Sequence, residues 1–140
     1  EGVLALPQHR RFHASLAVAA THFDVLLAAA DSDGTLPETL HAEGGARRVD
    51  VIAQALRVGT LLARHRPQRP PDRVALERLH RALLREIPPS GAVAFARGAD
   101  GATSNAWAAM FADQALGFTT TAGAAGTVAD DSWRTDPLLV

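Results

Sequence analysis

Side chains of the types that contact sugars are concentrated in a polar loop, residues 32–46, and in the helix expected after it. Asp50, Gln54 and Arg57 follow one another at spacings of four and three residues, so they share one face of that helix. Carboxylate, amide and guanidinium groups supply the planar, paired donors and acceptors that a hydroxyl-rich ligand requires. Two carboxylates across a cleft could also act as acid and base on a glycosidic bond. The alternative is a solvated helix face with an ion pair between Asp50 and Arg57.

Trp107 is the second candidate for ligand contact, because an aromatic face stacks on the apolar face of a sugar or on an isoprenoid cation. Trp107, Phe111 and Gln114 lie at i, i+4 and i+7 of a predicted helix, and this stripe could line a cavity. The same spacing is typical of a core helix, so we predict core packing for Phe111 and leave both interpretations open for Trp107. The residues predicted to contact a ligand are Glu38, His41, Arg47, Asp50, Gln54, Asn105 and Trp107.

Other patterns that could carry chemistry are weak or missing from the sequence. His9 and His13 have a spacing that suits a metal on a helix, but no third ligand stands near them. The segment 64–85 is rich in arginine, yet Glu77 and Arg81 can pair one helical turn apart, so we predict a solvated outer helix and no nucleic-acid site. The sequence has no cysteine, glycine-rich phosphate loop, GxSxG elbow or HExxH pattern. We therefore expect neither a metal nor a cofactor.

The apolar periodicity predicts an all-α fold in which four helices position these groups. The expected helices are 11–30, 47–65, 73–87 and 105–118. Asp72 is the expected N-cap of the third helix, and Thr103 or Ser104 that of the fourth. Residues 92–97 are expected to form a short strand or extended segment, and residues 119–140 an irregular tail.

A short sequence recurs 60 residues apart, as AQAL at residues 53–56 and as DQAL at residues 113–116. Each copy follows a turn and a long loop, with Gly34 in the first turn and Gly91 in the second. A period of this size is typical of stacked helical units. We therefore predict two helical hairpins, residues 11–65 and 73–118, joined by long loops.

The segments 50–56 and 105–116 resemble inner helices of the α/α toroids, which include six-hairpin glycosidases, polysaccharide lyases, terpene cyclases and prenyltransferases. This resemblance implies that the loops 32–46 and 88–104 line the mouth of a central, ligand-holding cavity. The chain has room for about two hairpins, fewer than a closed toroid needs. It also lacks the aspartate-rich motif of terpene cyclases and the zinc ligands of protein prenyltransferases, so no catalytic residue is carried over. The resemblance implies the C-terminal portion of a longer toroid protein that binds or acts on carbohydrate or polysaccharide.

Composition limits the remaining possibilities. With a net charge of −1, the chain has no global field that would attract nucleic acid or an anionic membrane. No apolar run approaches the roughly 20 residues of a membrane-spanning helix, so we expect a soluble protein, with the cytoplasm favoured.

The start at Glu1 suggests a longer parent chain. The alternative function is a non-catalytic helical-repeat module whose partner is another protein, or the remaining hairpins of that parent, rather than an oligosaccharide.

Overall fold

The computed structural model describes residues 7–40, 46–97 and 104–124, and helices dominate this part of the chain. The expected all-α class is therefore confirmed. In chain order the elements are α1 (Phe12–Ala28), β1 (Arg47–Arg48), α2 (Val49–His65), α3 (Arg73–Arg85), β2 (Ala96–Arg97) and α4 (Ala106–Ala124). None of the described helices is long and apolar enough to cross a membrane.

The first three helices lie close to their predicted positions, whereas α4 continues to Ala124, beyond the predicted end at residue 118. The prediction of an irregular tail is thus wrong for residues 119–124, and residues 125–140 lie outside the described part of the chain. Threonine usually weakens a helix, but here the Thr119 hydroxyl donates to the carbonyl of Leu116 at 2.8 Å. The Thr120 hydroxyl donates to the carbonyl of Gly117 at 2.9 Å. Both hydroxyls are therefore satisfied within the helix itself.

Side chains cap two of the helices at their first turn. The carboxylate of Asp72 accepts a hydrogen bond from the backbone N–H of Val74 at 2.9 Å, which confirms the predicted N-cap of α3. At α4 the cap is Asn105, not Ser104 or Thr103: its Oδ1 accepts the N–H groups of Trp107 and Ala108 at 2.9 and 3.1 Å. Ser104 forms an isolated β-bridge with Ala94 and directly precedes the cap.

Helix α2 lies at the centre of the fold and contacts α1, α3 and, most extensively, α4. Its neighbours come very close at Gly59, where a methyl group would overlap the side chain of Leu76 on α3 and lie 2.7 Å from the ring of Phe23 on α1. Any larger residue at this position would require Leu76 and Phe23 to shift. The largest fully buried side chains are Leu36, Val49, Ile52, Leu56, Leu62, Leu79 and Leu83.

Helices α2 and α4 lie side by side and point in the same direction. The N–H of Val49, at the start of α2, donates to the carbonyl of Phe95, and the N–H of Asn105, just before α4, donates to that of Val93. Eight residues into each helix, Arg57 Nη1 donates to Gln114 Oε1 at 2.7 Å. The N-termini of both helices therefore lie together. We call this region, with the segments 31–40, 46–48 and 93–97, the loop end.

Corresponding features of the two loops are spaced 57 residues apart. Gly34 and Gly91 both have positive φ, at 87° and 73°, a backbone region that glycine adopts without strain. The same spacing separates the bridge Pro37–Arg47 from the bridge Ala94–Ser104. This 57-residue spacing is three residues shorter than the 60-residue spacing between the AQAL and DQAL segments. In the 57-residue register, Arg57 corresponds to Gln114, the residue to which it is hydrogen-bonded.

Candidate functional site

Backbone pairing brings the two long loops together at the loop end. Strands β1 and β2 are antiparallel, with Arg47 opposite Arg97 and Arg48 opposite Ala96. In the first loop, the N–H of Glu38 donates to the carbonyl of Ala46 at 2.9 Å. Among the predicted ligand residues that the structure describes, those at the starts of α2 and α4 are thereby placed in the same region as Glu38.

Arg48 is the most highly connected side chain of the loop end. Its guanidinium binds both carboxylate oxygens of Asp50, at 3.0 Å from Nε and 2.7 Å from Nη2. Nη1 donates to Glu38 at 3.1 Å, and the guanidinium carbon lies 4.1 Å from the centre of the Phe95 ring. These hydrogen bonds, those to Asp50 above all, raise the pKa of Arg48 above its ordinary value. Arg48 thus links the first loop, the start of α2 and the second loop.

Arg48 was not among the residues predicted to form the site, although the sequence carries one signal for it. An arginine directly before a helix whose second residue is an aspartate can close a bidentate ion pair over the first turn. Its second partner, Phe95, lies 47 residues away in the sequence, and only the pairing of the loops brings it close.

Asp50 and Arg57 do not form a solvated face as the alternative interpretation expected. Measured over the whole residue, Asp50 is only 6% exposed and Arg57 only 7%. Seven residues along a helix correspond to about 10 Å, too far for a direct ion pair. Asp50 pairs with Arg48, whereas Arg57 points toward α4, where its guanidinium binds Gln114 and lies 5.5 Å from the centre of the Phe118 ring.

The other polar candidates of the first loop occupy distinct surroundings. Glu38 is exposed and holds Arg48. Arg47 pairs with Asp31 at 2.8 Å, and both side chains are partly exposed. Gln54 is half-buried on α2. His41 lies outside the described residues.

Trp107 is the most solvent-exposed of the large apolar side chains that the structure describes, at 66%. It lies in the first turn of α4, with its ring centre 6.3 Å from that of Phe111. Phe111 itself packs against the core, as predicted. Because the amide oxygen of Asn105 caps α4, this residue fixes the backbone that carries Trp107. The loop end therefore presents the ring of Trp107 to solvent on a capped helix turn.

The chemistry of this arrangement favours recognition over proton transfer. Both oxygens of Asp50 are held by one arginine, and Glu38 is bound to the same guanidinium. An exposed aromatic ring with charged, planar groups at the same end of the fold can stack on a ligand and hydrogen-bond it. Among the described residues, no group of three or more His, Asp or Glu side chains is placed to hold a metal ion.

A small cavity lies at the opposite end of the fold, near the 66–72 link. Its volume is about 120 Å³, and its walls include Phe23, Leu62, Arg66 and Arg69. Ligand pockets for drug-sized molecules are typically about 300–1,000 Å³. None of the predicted ligand residues contributes to this cavity, so it does not coincide with the loop end.

Comparison of the chain with protein-family models, with curated protein sequences and with solved structures gives no significant match. Its function is therefore inferred from the contacts of the described residues.

Proposed function

We propose that this chain is part of an α/α-toroid-type protein and that its loop end binds carbohydrate. The observation that carries this proposal is the exposed ring of Trp107, which lies at the same end of the fold as the ion pairs of Glu38, Arg47 and Asp50. Sugar recognition combines stacking on an aromatic face with planar hydrogen-bonding groups, and both are present here.

The arrangement of the helices supports the toroid part of the proposal. In such a fold, inner helices lie side by side with their N-termini toward the ligand, and loops of similar construction precede them. Helices α2 and α4 have that relation, and their preceding loops share bridges and positive-φ glycines at a constant spacing of 57 residues. The loop end is then the part of this chain that faces the ligand.

Tryptophan fluorescence tests the carbohydrate proposal directly. The chain has two tryptophans, and the Trp133→Phe variant leaves Trp107 as the only emitter. We expect soluble oligosaccharides, titrated as a panel of neutral and acidic types, to shift the emission of this variant in a saturable manner. The matched Trp107→Phe variant, with Trp133 kept, should lose the response while its melting temperature without ligand stays close to that of the parent. Unchanged emission and melting temperature throughout the panel would reject the proposal.

The second candidate function is that of a helical module that packs against another protein or further hairpins of a longer chain. It is favoured by the exposed valines of α1, Val18 at 55% and Val25 at 49%, and by exposed Met110 beside Trp107 on α4. Asp24 is the only Asp, Glu, Lys or Arg of α1, and Asp113 the only one of α4. A helix with apolar groups on more than one side is typical of helices covered on both flanks.

Light scattering after size-exclusion chromatography distinguishes this second function from the first. If apolar flanks drive association, the chain forms dimers or larger species, and the double variant Val18→Glu with Val25→Glu returns it to the monomer. The control places one glutamate at the exposed Val74 of α3. A monomeric chain that still responds to oligosaccharides through Trp107 would favour the carbohydrate function.

A further inference from the structure

Helix α3 has a basic outer face. Arg78, Arg81 and Arg85 are exposed and lie at i, i+3 and i+7, a stretch of about 10 Å along the helix. The adjoining face of α3 is buried through Ala75, Leu79, Ala82 and Leu83. The arginines thus project from a helix that is held firmly against the core.

The acidic residue within α3 compensates only part of this charge. Glu77 is shared by two arginines: it lies 3.1 Å from Arg73 and 3.7 Å from Arg81. These contacts are exposed and therefore weak. The helix carries four arginines against this one glutamate, so its outer face remains positive although the net charge of the chain is −1. The positive charge is therefore confined to the outer face of α3.

The basic row leads to the loop end. Arg85, at the last turn of α3, donates a hydrogen bond to the carbonyl of Asp33. Asp33 lies in the same turn as Asp31, which pairs with Arg47 at the start of β1. A polymer that follows the arginines of α3 toward the C-terminus of the helix therefore arrives at the first loop.

We propose that the Arg78–Arg81–Arg85 row binds a linear anionic polysaccharide, built from uronate or sulfated sugars, that extends from the loop end along α3. This inference rests on the proposed carbohydrate function and specifies the class of its ligand. Guanidinium groups bind carboxylates and sulfates through paired hydrogen bonds. Arginine therefore suits such a polymer better than lysine, whose ammonium group is a point charge.

The surroundings of the row favour an acidic polysaccharide over nucleic acid. Helix α3 contains no Phe, Tyr or Trp on which a base could stack. Proteins that neutralise the dense phosphate backbone are usually basic as a whole, whereas this chain has a net charge of −1. A polymer with fewer charges per length matches a single row of arginines.

Affinity electrophoresis through gels that contain polygalacturonate tests the proposal at low ionic strength. We expect this polymer to retard the chain, a neutral glucan not to do so, and added salt to abolish the retardation. The double variant Arg78→Gln with Arg81→Gln should bind about tenfold more weakly, since two exposed charge contacts are lost. Glutamine has nearly the helix propensity of arginine, and the melting temperature verifies that the variant folds.

The matched control is Arg10→Gln with Arg11→Gln, which removes the same charge from exposed residues at the start of α1. Equal weakening in both variants, or no retardation of the parent chain, would overturn the proposal. Tighter, salt-sensitive binding to a single-stranded oligonucleotide that is lost in the Arg78 and Arg81 variant would assign the row to nucleic acid instead.

The experiments on Trp107 and on the arginine row of α3 distinguish failure of the loop-end proposal from failure of the α3 proposal. If Trp107 does not respond to any oligosaccharide but retardation still depends on the arginines, the loop-end function is wrong and the polyanion surface is real. If Trp107 responds but retardation is independent of the arginines, the row on α3 has no part in binding.

Discussion

The replacement of Arg48 by methionine tests whether the loop end depends on one side chain. The change keeps much of the side-chain volume but removes the bidentate pair with Asp50, the hydrogen bond to Glu38 and the stacking on Phe95. The side chain of Asp50 is 9% exposed, so its carboxylate stays largely desolvated after the partner is lost. The free energy of unfolding should therefore fall.

The size of the loss follows from the burial of the pair. To remove one partner of a fully buried pair costs about 3–5 kcal/mol, whereas an exposed pair contributes about 0–1 kcal/mol. The side chain of Arg48 is 25% exposed, which places this pair between the two limits. We expect a loss of about 2 kcal/mol.

Urea unfolding followed by far-UV circular dichroism at neutral pH measures this loss. The matched control is the neighbouring Arg47→Met, since Arg47 pairs with Asp31 and these side chains are 33% and 44% exposed. Its expected cost is below about 1 kcal/mol. Adding Asp50→Asn to Arg48→Met should restore part of the stability, because a neutral amide is less costly to bury than a carboxylate. Equal losses for Arg47→Met and Arg48→Met would refute the central role of Arg48.

Three further predictions concern the helices that support the loop end. Gly59→Ala should lower the free energy of unfolding by about 1 kcal/mol, because displacing Leu76 and the Phe23 ring costs more than the roughly 1 kcal/mol that alanine gains over glycine within a helix; a stabilised variant in urea unfolding would show that these side chains move without strain. Asn105→Ala should cost about 1 kcal/mol through loss of the cap, and a similar loss in Ser104→Ala would show that the cap is misassigned. Burial, with a smaller effect of Arg64, lowers the pKa of His65 below its ordinary value of 6.5. The folded protein then favours neutral His65, so stability is fully present above about pH 6.5 and falls as the pH drops below it, and thermal melts should show a flatter pH dependence for His65→Gln.

The helices could be predicted because their signals are local. Apolar periodicity and one capping aspartate define α3 within the segment 73–85, and Asp72 caps it as expected. The end of α4 was missed because threonine and glycine usually disfavour helix, whereas Thr119 and Thr120 satisfy their hydroxyls on the preceding turn. Local composition therefore predicts where helices exist better than where they end.

The contacts of the candidate site could be predicted only in part. The toroid resemblance placed both loops at one end, and backbone pairing brings them together there. The partner of Arg57 was not predictable from spacing, because Gln114 lies 57 residues away in α4. The pair of Asp50 with Arg48, two residues before it, did have a local signal, which the prediction overlooked. Helix periodicity specifies which residues share a face but not what covers that face.

The geometry of the carboxylates also bears on whether the loop end could hydrolyse a glycosidic bond. An acid and a base for this reaction face each other across the bond, about 5–10 Å apart, with substrate or water between them. Glu38 and Asp50 instead bind one guanidinium, so the space between them is occupied by Arg48. If the proposed ligand is carbohydrate, Glu38 and Asp50 therefore contribute to binding and not as an acid–base pair. A catalytic pair would need at least one carboxylate other than these two. Release of reducing sugar by this chain alone provides the test. Activity that is retained in the Glu38→Gln variant but lost when another carboxylate is replaced would identify that carboxylate as the catalytic group.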